Sequence, residues 1–216
     1  SWVSASELDN YRFPEANLPI ITAVRLPPCY LITPEPGPPL RWDGFLAHLE
    51  RRLRAGITLV QLRAKALSSD EYAQLARRVL ALCREHGAKL LLNAGADALG
   101  EIDADGVHLS SARLMALSRR PAPTGTLIAA SCHSPAEVAQ ANRLGLDFIV
   151  VSPVQPTASH PGAAVLGWDG LRALTESARL PVYALGGMGP KDLVRSRELG
   201  AQGIAAISAL WCGEGY

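Results

Sequence analysis

The sequence predicts a single (β/α)8 barrel of the TIM type, with an N-terminal extension and a truncated last helix. Three observations carry this. Eight short apolar runs alternate with amphipathic helical patterns along 216 residues. A composition that is 48% hydrophobic and 19% charged suits one sizeable core. Polar side chains collect at the carboxyl ends of the apolar runs, the end at which α/β folds hold their ligands. A doubly wound open sheet satisfies the same βα alternation and remains the alternative.

The predicted strands, in order, are "CYLIT" (29–33), "ITLVQLR" (57–63), "KLLLN" (89–93), "GVHLS" (106–110), "TLIAASC" (126–132), "DFIVVS" (147–152), "PVYALG" (181–186) and "GIAAIS" (203–208). Their length and β-branched content fit strands buried on both faces. Between them, 42–56 places Phe45, Leu49 and Leu53 at helical spacing and stops at Gly56. Residues 68–87 open with a serine cap and early acids and end at Gly87. Residues 134–145 begin Ser-Pro and end at a glycine. The segments 167–179 and 189–200 follow the same logic, and 97–104 and 111–118 carry weaker helical patterns. After Ile207 only nine residues remain, too few for a long final helix, and the N-terminal region is expected to cover part of that gap.

Composition excludes several classes. A net charge of +1 offers no general nucleic-acid or membrane surface, so any cationic site is local. No apolar run approaches membrane-spanning length. Cys29, Cys83, Cys132 and Cys212 are far apart with no Cys-x-x-Cys pair, which predicts reduced thiols in a cytoplasmic protein.

The stretch "GITLVQLRAKALS" (56–68) is the most informative. Gln61, Arg63 and Lys65 alternate, so they share one face at the end of the second strand. Two cations on the mouth side of an apolar strand suit a phosphorylated ligand, Arg63 as a fork and Lys65 as a point charge. A solvated charged turn is the alternative, but leaving cations unpaired at the end of an apolar strand is costly, which favours the ligand. At the other strand ends stand Asn93, Ser131 and His133, and His108 lies within the fourth strand as a core or lining residue. Thr157, Ser159 and His160 occupy the loop after the sixth strand. His160 and Ser131 are weak catalytic candidates. Gly186 and Gly187 in "ALGGMG" permit close backbone approach, and Ser208 opens a short helix; paired turns after strands seven and eight form the recurrent phosphate site of such barrels.

Taken in order, "CYLITP", "QLRAK", "LLLNAGADAL", "ADGVHLSS", "SCHS", "SPVQPTASH", "ALGGM" and "GIAAISAL" resemble the thiamine phosphate synthase and TenI superfamily over about residues 28–210. The resemblance implies a barrel that joins a hydroxymethylpyrimidine diphosphate to a thiazole phosphate with release of pyrophosphate, or, in TenI-like members, tautomerises or holds a thiazole phosphate. It implies pyrimidine-diphosphate contacts at Gln61, Arg63, Lys65 and Asn93, a loop contact at Thr157, and a thiazole-phosphate site at Gly187 and the backbone around Ser208. Magnesium is the family's cofactor, but its two aspartate positions are Ala94 and Arg113 here, so the expectation is no bound metal. Asp103 and Asp105 are the fallback acids. The loop lysine of the synthases is His160, and the TenI-like catalytic histidine corresponds to Pro153.

Residues 1–24, with "SWVSASELDNYRFPEANLPII", resemble the tail of MutT-type Nudix hydrolases, and 25–216 form the barrel domain. This resemblance implies a partner Nudix domain upstream, which would carry the nucleotide-cleaving activity, since no Nudix box of closely spaced glutamates occurs here. The other expected partner is a small phosphorylated ligand, with no nucleic acid and no membrane; a homo-oligomer is compatible with the fold. Two functions follow: a synthase-like or TenI-like enzyme of thiamine biosynthesis or salvage, and a non-catalytic phosphate-ligand module regulating a Nudix hydrolase.

Overall fold

The computed structural model describes residues 17–123, 125–157, 162 and 164–213. Eight parallel strands close into a barrel in sequence order, which settles the choice against the open sheet. The strands are β1 (Cys29–Ile32), β2 (Leu59–Leu62), β3 (Lys89–Leu92), β4 (Gly106–Leu109), β5 (Leu127–Cys132), β6 (Phe148–Val151), β7 (Val182–Ala184) and β8 (Gly203–Ala206). Closure is made by β1 beside β8, with Cys29 opposite Ile204 and Leu31 opposite Ala206. All eight lie within the predicted runs. Each is trimmed at one or both ends; in all but the fifth the last residues of the run leave the ladder to form the mouth loops, and the fifth loses only Thr126 at its start.

The helices are α1 (Leu18–Arg25), α2 (Trp42–Arg54), α3 (Ser69–Glu85), α4 (Ser111–Ala116), α5 (Pro135–Leu144), α6 (Gly167–Ser177), α7 (Leu193–Glu198) and α8 (Ser208–Trp211). Ser68 caps α3 in a capping box with Glu71, and hydrogen bonds from Ser68 hold the Glu71 carboxyl below its usual range. Gly145, at φ 61°, ends α5 in the left-handed region. Two expectations are corrected. Residues 97–104 form only a short 3-10 turn, Ala96–Gly100, and the first part of 189–200 is likewise 3-10 at Pro190–Asp192. The last described helix, α8, is a single turn.

Period-two alternation sorts the strand residues into two cores. Leu31, Val60, Leu62, Leu90 and Leu92 face outward, where the surrounding helices cover them. Tyr30, Ile32, Leu59, Leu91, Phe148, Val150 and Tyr183 fill the barrel interior. Leu26, just after α1, joins this inner cluster, and Gln202 donates to the carbonyls of Ala23 and Leu26 at 3.0 and 2.8 Å. The α1 segment therefore seals the base of the barrel rather than the gap beside β8. That gap is closed by α8, whose Trp211 packs on Phe45 and stacks on His48 of α2.

Opposite the mouth, half-buried polar groups tie the base together. The Arg120 guanidinium donates to the carbonyls of Ala122, Thr126 and Gly145 and to the Asp147 carboxylate. Asp147 also accepts the Ile128 amide at 2.7 Å, and Asp105 accepts the Leu90 amide at 2.8 Å. Among the described residues no helix is long and apolar enough to cross a membrane. Cys29, Cys83 and Cys132 are buried and Cys212 is exposed, none of them in a disulfide.

Candidate active site

A cavity of about 590 Å3 opens at the carboxyl ends of the strands. Its wall includes Gln61, Arg63, Lys65 and Asn93 from the ends of β2 and β3, Ser131 from β5, and Thr157 and Gly186 from the loops after β6 and β7. Residues spread over 126 positions of chain thus meet in one space, because a closed parallel barrel brings every strand end to the same face. Gln61 points inward by strand alternation and is 3% exposed. Arg63 and Lys65 follow β2 on the same side, and the Arg63 amide donates to Thr33 Oγ1 at 3.0 Å.

Glu35, in the proline-rich segment after β1, is a mouth residue that sequence reasoning missed. Its carboxylate lies 3.2 Å from the Arg63 guanidinium and accepts the amides of Lys65 and Ala66 at 3.2 and 3.5 Å. It fixes the turn that carries both cations and neutralises one of them. The only sequence signal was an acid two residues beyond the first strand.

His108 lines the cavity floor, as its place inside β4 suggested. It stands opposite Ala129 in the ladder, whose small side chain leaves room for the ring. Burial pushes its imidazole down to about 3, so the ring is neutral at ordinary pH. Its Nε2 lies 2.9 Å from Ser131 Oγ. His133 is pinned by Nδ1 to the Ser152 carbonyl at 2.7 Å. Burial opposes ionisation of Glu137, but hydrogen bonds from Ser111, the His133 amide and Ser134 outweigh it and hold the carboxyl below its usual range. That carboxylate welds the loops after β4 and β5 into one rigid rim.

A second cavity, about 280 Å3, adjoins the first. Thr157, Leu185, Gly186 and Ile207 line both, and Gly187 and Ser208 line only the smaller. Gly187 has φ +64°, and a Cβ there would stand 2.6 Å from the Pro156 carbonyl oxygen. Glycine is required on two counts, conformation and space. The opening turn of α8 leaves amides without intrahelical acceptors on this wall. His160 lies outside the described residues.

A third hollow, about 710 Å3, adjoins the first across Lys65, Asn93 and Ser110 and is lined also by Tyr72, Ala94, Asp97, Glu101 and Arg113. The Tyr72 hydroxyl donates to the Leu62 carbonyl and accepts the Asn93 amide, each at 3.1 Å, which fixes the end of β3. Magnesium takes hard oxygen ligands in octahedral array. The two positions at issue offer a methyl group at Ala94 and a guanidinium at Arg113, and the remaining carboxylates of the hollow, Asp97 and Glu101, belong to no cluster of three or more potential ligands among the described residues, so this donor set does not fit the ion. The fallback acids do not repair it. Asp105 is committed to the base, and Asp103 pairs with Arg84 at 2.7 Å on the outside of the barrel.

A family model described as thiamine monophosphate synthase matches residues 29–210. The thiamine-phosphate synthase of Desulfitobacterium hafniense (strain Y51) is 34% identical over 168 residues, covering 77% of this chain and 81% of that protein. The thiamine biosynthesis bifunctional protein ThiM/ThiE of Symbiobacterium thermophilum is 38% identical over 164 residues, and there the match spans 34% of the longer protein. Among solved structures, thiamine phosphate pyrophosphorylase from Pyrococcus furiosus superposes with a TM-score of 0.69 at 28% identity, over 86% of this chain and 88% of that one. The match begins at Cys29, so residues 1–24 fall outside it. With the barrel, the strand-end polar groups and the glycine turns in place, the chain belongs to the thiamine-phosphate synthase and TenI family.

Proposed function

We propose that the chain is a thiamine-phosphate-synthase-like transferase. It binds a pyrimidine diphosphate beside Gln61, Arg63, Lys65 and Asn93 and a thiazole monophosphate beside Gly187 and Ser208. In the reaction, the thiazole nitrogen attacks the pyrimidine methylene carbon. A carbon–nitrogen bond forms, the carbon–oxygen bond to the diphosphate breaks, and pyrophosphate leaves with the electron pair. The observation that carries this reading is the continuity of the two cavities across Thr157 and Gly186. One holds cations suited to a diphosphate and the other glycine and amides suited to a monophosphate. Gln61 and Asn93 orient the first ligand, and Arg63 and Lys65 balance the charge that grows on the leaving group. Incubation with both substrates, with and without magnesium, and chromatographic detection of thiamine phosphate tests it; absence of product under both conditions rejects it.

The second reading is a phosphate-ligand-binding module without catalysis, regulating an upstream Nudix hydrolase. It is favoured by Ala94 and Arg113, where the resemblance implies metal-binding acids. Binding of thiamine phosphate or its precursors without turnover supports it. The Nudix connection rests on residues 1–24 alone and is tested by assaying 8-oxo-dGTP hydrolysis with the complete gene product, with and without these ligands.

A further inference from the structure

A file of hydrogen bonds runs behind the mouth. The Gln61 side-chain amide donates to the Tyr30 hydroxyl at 3.2 Å. The same hydroxyl lies 3.2 Å from His108 Nδ1, and His108 Nε2 lies 2.9 Å from the Ser131 hydroxyl. Tyr30 is fully buried. Its ring is wedged against Phe148 and Tyr183, with centroids 5.3 and 5.7 Å away, so the hydroxyl has no other direction to take.

Proton counting then orders the file. The Tyr30 hydroxyl has one proton, and Gln61 already occupies one of its lone pairs. The proton therefore goes to His108 Nδ1, which must be an acceptor. A neutral imidazole that accepts at Nδ1 carries its proton on Nε2. Nε2–H donates to Ser131 Oγ, and the serine's own proton is left for the cavity. In the opposite order Gln61 would offer its carbonyl to Tyr30, His108 would carry its proton on Nδ1, and Ser131 would spend its proton on Nε2. Only serine lone pairs would then face a mouth rimmed by Arg63 and Lys65, the wrong polarity for the anion those cations suit.

We propose that Tyr30 is a positioning residue: it locks His108 as the Nε2–H tautomer and so makes Ser131 a hydrogen-bond donor to an anionic oxygen at the mouth. The anion follows from the synthase-like reading above; the tautomer rests first on the direction of the Gln61–Tyr30 hydrogen bond, and the spectrum reads it whether or not an anion binds.

The test is 15N NMR of histidine-labelled protein at pH 7, with His108 assigned among the five histidines by loss of its signals in His108→Gln. The unaltered protein is expected to show the Nε2–H pattern, and Tyr30→Phe a mixture of tautomers. Calorimetry with inorganic pyrophosphate is the second readout. Tyr30→Phe and Ser131→Ala should each weaken binding roughly 3- to 10-fold, and the double variant should be no weaker than the poorer single one. An Nδ1–H pattern in the unaltered protein overturns the proposal, as do independent losses in the double variant with the tautomer unchanged in Tyr30→Phe. If Tyr30→Phe does not fold, the spectrum of the unaltered protein still decides the tautomer and Ser131→Ala the donor. If the unaltered chain binds no pyrophosphate, the donor role of Ser131 and the synthase-like reading both fall, while an Nε2–H spectrum still upholds the lock.

Discussion

Arg63 and Glu35 form a pair whose competition with an anion can be measured. The Arg63 guanidinium lines the mouth and lies 3.2 Å from the Glu35 carboxylate, with side-chain exposures of 25% and 40%. If the guanidinium also meets a phosphate oxygen, Arg63→Ala removes a charge-assisted contact worth about 1.5–3 kcal/mol. That corresponds to a Kd for pyrophosphate raised about 10- to 150-fold. Glu35→Gln should act in the opposite direction. The amide oxygen can still accept the Lys65 amide while the longer bond to the Ala66 amide is given up, so one anchor of the turn survives, but the guanidinium loses its charged competitor. An ion pair this exposed is worth about 0.2–1 kcal/mol, so affinity should rise about 1.5- to 5-fold. The assay is isothermal titration of pyrophosphate with chelator present, repeated at high salt, where the benefit of Glu35→Gln should shrink. Unchanged affinity in Arg63→Ala, or weaker binding in a folded Glu35→Gln, refutes the reasoning.

Gly187→Ala forces a side chain into the left-handed region against the Pro156 carbonyl. It should lower Tm by about 3–8 °C and weaken inorganic phosphate at least about tenfold; unchanged phosphate affinity in calorimetry argues against the glycine site. Pyrophosphate should bind the unaltered chain no better with magnesium than magnesium's own complexation explains, whereas Ala94→Asp with Arg113→Asp should create metal-dependent binding. Rapid, strictly magnesium-dependent turnover by the unaltered chain would contradict this. His108 supplies a pH signature. Its folded pKa, about 3, lies below the ordinary histidine value, so between about pH 6.5 and 3 the unfolded chain binds the extra proton and stability falls as pH falls, by up to about 1.4 kcal/mol per pH unit. Urea midpoints from pH 7 to 4 should show a steeper loss than His108→Gln, by up to one proton; equal slopes would mean that the ring is charged in the folded state.

The fold was legible because its signals are local. Each strand is a short apolar run, α3 and α5 carry serine caps, and the regular alternation limits the topology to a closed barrel or an open sheet, between which only the structure decides. The face shared by Gln61, Arg63 and Lys65 was legible for the same reason, since alternation needs no knowledge of tertiary structure. What stayed hidden depends on partners distant in sequence. Tyr30 reads as one more apolar-strand residue until His108 arrives 78 positions later. Glu35 reads as a loop acid until the second strand brings Arg63 beside it. Leu26 fits the open base of the barrel, a preference set by the shape of the inner core that no local pattern announces.

The Arg120 hub carries a consequence for how such a chain can change. Its guanidinium and the Asp147 carboxylate gather the loops at the base, on the side of the strands away from every proposed ligand contact. Foldedness and recognition are therefore anchored at opposite poles of one molecule. Substitutions among the mouth loops can trade one phosphorylated ligand for another while the base keeps the barrel closed, and repairs at the base can offset a destabilising change at the mouth without touching specificity. The paired variant Ala94→Asp with Arg113→Asp would be a change of this kind, confined to the pole of recognition.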